Sequence, residues 1–175
     1  MRNVTVPAST LAHLVQAIDE ESGSGTATAV LQRAGFESGS AFFRELEQDA
    51  GEELAALPEA RFWELLAAFF DVRGWGRITQ VRVHPALGML HSSDWGESHG
   101  AMDAGASRGC AFSSGVFAHI FGRVAGGAIG VLEVGCRSRG DAECTFVLGP
   151  ESAVDQLHGM MVDGLDIESA LTELQ

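Results

Sequence analysis

Apolar residues recur at intervals of three and four through the first 75 positions, the spacing that puts them on one face of a helix. Ser9 or Thr10 can cap a first helix to Asp19, with Leu11, Leu14, Val15 and Ile18 on its buried face. Residues 20–25, EESGSG, predict a flexible polar connection. A second helix is expected from Thr26 to Ala34, ending at Gly35, and a third from about Ser40 with Phe42, Phe43 and Leu46. Pro58 suits the first turn of a fourth, which carries Phe62, Leu65, Leu66, Phe69 and Phe70.

After Gly74-Trp75-Gly76 the period changes to two. Ile78, Val81 and Val83 alternate with polar residues, His84-Pro85 interrupts, and Leu87 to Leu90 follows, so short broken strands are expected. Ser92 to Gly109 is rich in small and polar residues and reads as a long loop or lid. Helical spacing returns from Cys110 to Val124 and stops at Gly126-Gly127. Residues 128–148 predict a β-hairpin turning near Gly140, and a last helix is expected from Pro150 to about Leu174. The order of elements places the chain in the α+β class.

Composition narrows the partners. Eleven basic against 24 acidic residues leave a net charge of −13, which repels nucleic-acid phosphates and anionic lipid alike, so neither nucleic acid nor membrane is expected as a direct partner. Apolar runs such as Leu65–Phe70 fall far short of the roughly 20 residues that span a bilayer. With no charged-then-apolar leader at the N-terminus, a cytoplasmic location is expected.

Three cysteines and one glutamate carry the candidate chemistry. Cys136 and Cys144 lie four residues either side of Gly140, so a hairpin folded there makes them cross-strand neighbours. Glu133 precedes Cys136 by three residues, which in a regular strand would place the two on opposite faces. Their convergence requires a bulge, for which Gly135 is suited. Cys110 opens the preceding helix and would tie it to the hairpin, while Arg108, Arg137 and Arg139 would offset negative charge. Zinc accepts thiolate and carboxylate in a tetrahedron, and a shell filled by protein is structural. Spacing alone leaves simple cysteine burial and a disulfide as alternatives.

Cys110-Ala-Phe-Ser-Ser-Gly, followed by Glu133-Val-Gly-Cys136 and by Cys144-Thr-Phe, resembles the V4R (4-vinyl reductase) domain family, whose members include sensor domains of aromatic-responsive bacterial activators. The resemblance covers about residues 55–150. It implies a zinc held by Cys110, Glu133, Cys136 and Cys144, and an antiparallel sheet with helices packed around it, a fold shared with haem nitric-oxide-binding and vesicle-tethering domains. The N-terminal helical segment, 1–54, then precedes a V4R-like ligand-binding domain, 55–175, whose C-terminal hairpin is tied by zinc.

The resemblance also implies a small hydrophobic or aromatic ligand in a closed pocket, and a homodimer. Candidates for lining that pocket are Trp75, His91, Trp95, His99, Phe112, Phe117 and His119, each with core packing as its alternative. The chain shows neither an ATPase signature nor a helix-turn-helix, so a sensor role would run through a protein partner or the dimer, with the first 50 residues as the surface. A scaffold module is the second reading. Haem-based gas sensing is a third, against which stands the complete absence of tyrosine, since the haem domains hold their propionates with a Tyr-x-Ser-x-Arg motif. A reductase role is a fourth, but no dinucleotide fingerprint or catalytic trio is present.

Overall fold

The computed structural model describes residues 5–105 and 109–174. Among them the elements run α1 (Ser9–Ser22), α2 (Ser24–Ala50), α3 (Glu59–Val72), β1 (Thr79–His84), β2 (Leu87–Ser92), α4 (Gly96–Asp103), α5 (Ala111–Ala125), β3 (Ile129–Gly135), β4 (Cys144–Pro150), α6 (Glu151–Val162) and α7 (Ile167–Glu173). Short 3₁₀ turns occupy Leu54–Ala56 and Arg137–Arg139. The fold is α+β, as the pattern predicts.

The strands form one antiparallel sheet in the order β1-β2-β4-β3. Strand alternation sends side chains to both faces. Leu87, Met89 and Val147 pack with Val154, Leu157, Ala170 and Leu174 of the C-terminal helical region. On the other face, Leu90 and Phe146 meet Phe69 and Phe70 of α3, Phe117 and Ile120 of α5, and Phe43 and Leu46 of α2. The sheet is thus sandwiched, with the larger, aromatic core on the α2/α3/α5 side. Residues 43, 46 and 54 from the N-terminal segment belong to that same core.

Four elements differ from expectation. The helix predicted to stop at Gly35 continues unbroken through Gly35 and Gly39 to Ala50. Both glycines lie where α2 crosses α5: a Cβ on Gly35 would strike the Phe112 carbonyl, one on Gly39 the His119 side chain, and one on Gly115 of α5 the Gln32 carbonyl. Glycine costs about 1 kcal/mol in a helix interior, and here the close backbone approach offsets it. The connection expected over 20–25 shrinks to Gly23, with φ 83°.

The stretch read as a loop from Ser92 to Gly109 contains α4. Its small residues serve packing, since a Cβ on Gly100 would meet the Ala8 carbonyl at the start of α1, and the Ser98 hydroxyl donates to the Trp95 carbonyl at 2.7 Å. The single C-terminal helix is instead two. Gly164, at φ 102°, ends the first turn region, and Asp166 caps α7 by accepting from the Ser169 N–H at 2.8 Å. No helix among the described residues is long and apolar enough to cross a membrane.

The glycine contact between α2 and α5 makes a direct prediction. Gly115→Leu should force the helices apart and destabilise the fold by about 1–3 kcal/mol or more, the usual cost of overpacking. A lowered thermal midpoint would show it, and an unchanged one would mean the crossing is not close-packed.

Candidate metal centre and aromatic interior

The hairpin carries the bulge that its sequence requires. Glu133 pairs with Phe146 and Gly135 with Thr145, so Val134 is the extra residue on β3. That shift turns Glu133 and Cys136 toward one volume, where Cys144 approaches from β4 and Cys110 from the N-cap of α5. The sulfurs of Cys110 and Cys136 are 3.7 Å apart, those of Cys110 and Cys144 3.9 Å, and those of Cys136 and Cys144 4.0 Å. One atom from each of the four residues lies within 4.8 Å of the others.

These distances fit a tetrahedral cation. Metal–sulfur bonds of about 2.3 Å give tetrahedral edges of about 3.8 Å, close to all three sulfur separations. The three cysteines are fully buried. Hydrogen bonding with Cys110 and then Cys136 holds the Cys144 thiol down at about 3, while contact with the sulfurs of Cys136 and Cys144 pushes Cys110 far up. Without a cation the cluster therefore favours a thiolate at Cys144 and disfavours one at Cys110. Burial, then the charge of Cys136, raises the Glu133 carboxyl to about 7. A dication removes the conflict by neutralising several ionised ligands together.

Two carboxylates cap α5 from outside the helix. The Cys110 N–H donates to both oxygens of Glu133 at 3.0 Å. The Phe112 and Ser113 N–H groups donate to Glu97 at 3.0 and 2.8 Å, and the Ser113 hydroxyl also donates to Glu97. These bonds satisfy amides that a helix start leaves unpaired, and negative charge is favourable there. Arg139 reaches Glu133 at 3.3 Å, and Arg137 contacts His99 at 2.9 Å. Arg108, also expected near the cluster, lies outside the described residues.

Trp95 joins this network to the aromatic core. Its indole N–H donates to the Ser113 hydroxyl at 2.8 Å, so a chain of bonds runs Trp95, Ser113, Glu97 and ends on the first turn of α5. Around Trp95 stand Phe70, Phe117, Trp75 and Phe146, with ring centroids 5.4, 5.5, 5.9 and 6.4 Å away. Phe112 stacks on Trp75 at 5.9 Å, nearly parallel.

The structure thus brings Trp75, Trp95, Phe112 and Phe117 together and places the histidines elsewhere. His91 shares the sheet face of Leu87 and Met89, opposite the aromatic core, and its Nδ1 lies 2.7 Å from Glu143. His99 sits on α4 against Arg137. His119 faces α2, its ring 5.0 Å from that of Phe36, and burial lowers its basicity. Glu97 and Ser113 are the participants that sequence reading passed over. An acid in a Gly- and Ser-rich stretch gave no signal, although Ser113 three residues after Cys110 stands where helix starts place polar side chains.

Comparison with known proteins fits this geometry. Residues 96–150 match the V4R domain. The V4R match runs from the start of α4 to the end of β4 and so contains all four candidate metal ligands and Glu97, beginning one residue after Trp95. The fold is similar to the crystal structure of the phenol-responsive sensory domain of the transcription activator PoxR with phenol, at 16% identity and a TM-score of 0.73, covering 93% of this chain and 83% of that one. It is also similar to a trafficking protein particle complex subunit 3 from Naegleria fowleri covalently bound to palmitic acid, at 13% identity and a TM-score of 0.63, covering 81% of this chain and 91% of that one. No curated protein matches the sequence.

Glu97 supplies a pH test. Burial pushes its carboxyl up to about 7 against three donors that favour the ionised form. A carboxyl raised on folding contributes stability below the ordinary carboxylate range and loses it as pH rises through the folded value. Stability should therefore fall between about pH 4.5 and 7 through this group. Glu97→Gln should flatten that part of the profile and cost about 1–3 kcal/mol at the lower pH, because an amide NH₂ would face a backbone N–H. Melting across pH for both forms would measure it; parallel profiles would contradict it.

Proposed function

We propose that this chain is a zinc-containing V4R-type sensor domain that binds a small hydrophobic or aromatic molecule in its aromatic interior. The observation that carries the reading is the bonded path from Trp95 through Ser113 and Glu97 to the first turn of α5, whose N-cap is Cys110. It couples the rings that would hold a ligand to the residues that would hold the metal. Cys110, Glu133, Cys136 and Cys144 would hold zinc, which would tie α5 to the hairpin. With four protein ligands the ion would have no open position for water, and its role would be structural. The V4R match and the likeness of fold to a phenol-responsive sensory domain support the reading.

Calorimetric titration of the zinc-loaded protein with small aromatics, phenol first, tests the ligand reading. Binding should appear, and Trp95→Ala should abolish it while zinc content stays. A panel that fails entirely would refute the reading. The metal reading has its own test: Cys144→Ser should lower zinc content and thermal midpoint together, because a structural metal's binding energy is folding energy. A variant that melts like the parent would make the cysteine incidental.

A second copy of the same domain is one partner through which a sensor can signal. Leu14 on α1 and Phe36 on α2 are about half exposed, at 51% and 47%, which supports the N-terminal helices as the face of a homodimer. Leu14→Glu should convert a dimer to a monomer in sedimentation experiments. A monomeric parent would contradict this face as a self-association surface.

A further inference from the structure

The aromatic interior is sealed at its centre and thinner at one wall. Trp95, Phe117 and Phe146 are fully buried, whereas Phe42, Phe112 and Trp75 are only partly so. Against that wall lies a surface groove of about 800 Å³, formed by Val6, Leu11, Ala41, Phe42, Val72 and Trp75 among others. Its size is within the range of small-molecule sites. Trp75 is in ring contact on both sides, 5.8 Å from Phe42 at the groove and 5.9 Å from the sealed Trp95. The Trp75 ring therefore stands between the groove and Trp95.

The two tryptophans are held differently. Trp95 is pinned by its bond to Ser113, while the Trp75 indole makes no hydrogen bond among the described residues and is kept in place by packing. The backbone beneath Trp75 is anchored. Its N–H donates to the Phe70 carbonyl at 3.0 Å, and its carbonyl accepts from Gly96 at 2.7 Å. Gly74 and Gly76 on either side sit at φ 76° and 111°, in the region glycine favours, and no side chain from either neighbour crowds the ring. The movable part is the indole itself.

Charge at the groove selects what can pass. Its charged residues are Glu45, Arg73 and Glu97. The Arg73 guanidinium is engaged by Glu45 at 3.4 Å, Asp49 at 3.2 Å, the Phe69 carbonyl at 3.2 Å and the Phe69 ring at 3.7 Å. An entering carboxylate would thus meet two acids and a cation already neutralised, on a protein of net charge −13.

We propose that this groove is the entrance through which an uncharged aromatic molecule reaches the interior, with the Trp75 ring as its gate. The proposal rests on the reading of the domain as an aromatic-ligand binder. A gate sets the rates of entry and exit together, since closing slows both and the bound state is unchanged. It follows that a variant that blocks the groove away from the rings moves kinetics more than affinity.

Stopped-flow fluorescence of the zinc-loaded chain tests this with phenol and benzoate, which differ mainly in charge. The chain has three tryptophans and no tyrosine, so its emission is tryptophan emission alone, and Trp95 remains as reporter in the variants. Trp75→Ala should raise both association and dissociation rates for phenol, on the order of tenfold, as expected where binding had required a conformational step. Ala41→Trp, which fills the groove from α2 without touching the sealed rings, should lower both, and it carries the test if Trp75→Ala melts early. Benzoate should give no binding signal. Phenol exchange at parental rates in folded variants would overturn the gate while leaving the ligand reading intact, and benzoate binding as tightly as phenol would overturn the charge selection. Absence of phenol binding in every form would overturn both.

Discussion

Three cysteine sulfurs packed 3.7–4.0 Å apart in a dry interior cannot all ionise unless a cation joins them, and the surrounding structure is arranged about that constraint. The bulge at Val134 turns Glu133 inward, the 3₁₀ turn at Arg137–Arg139 sets Arg139 against Glu133, and Cys110 fixes where α5 begins. Desolvating isolated thiolates would cost several kcal/mol each. Four ligands on one dication would convert that cost into a tie between the hairpin and the start of the preceding helix.

The same helix start links the cluster to the aromatic interior. Glu97 and Glu133 share the first amides of α5, and Glu97 continues through Ser113 to Trp95. A change in how the rings pack around Trp95 has a bonded route to the helix that carries Cys110. The close crossing of α2 with α5 joins that helix to the N-terminal ones, because Gly35, Gly39 and Gly115 leave no slack between the two helices. The aromatic rings, the candidate metal ligands and the N-terminal helices thus meet on α5.

How much of this was legible in the sequence follows from the distance over which each feature is determined. The hairpin, its turn and the bulge were readable because Glu133, Gly135, Cys136, Gly140 and Cys144 act on one another across a few residues. The aromatic residues were readable as composition, and Trp75, Trp95, Phe112 and Phe117 lie in one cluster of rings. Gly35 misled because a glycine that breaks a helix and one that admits a neighbouring helix look alike until the neighbour is seen. The Ser92–Gly109 stretch hid α4 for the same reason: its small residues serve contact with α1. His91 was separated from the rings by strand parity, which only the sheet register reveals.

X-ray absorption at the zinc edge of the purified protein tests the central claim most directly. The account predicts about three sulfur neighbours near 2.3 Å and one oxygen near 2.0–2.2 Å for each zinc. A shell of nitrogen and oxygen alone, or protein that folds fully without zinc, would contradict it.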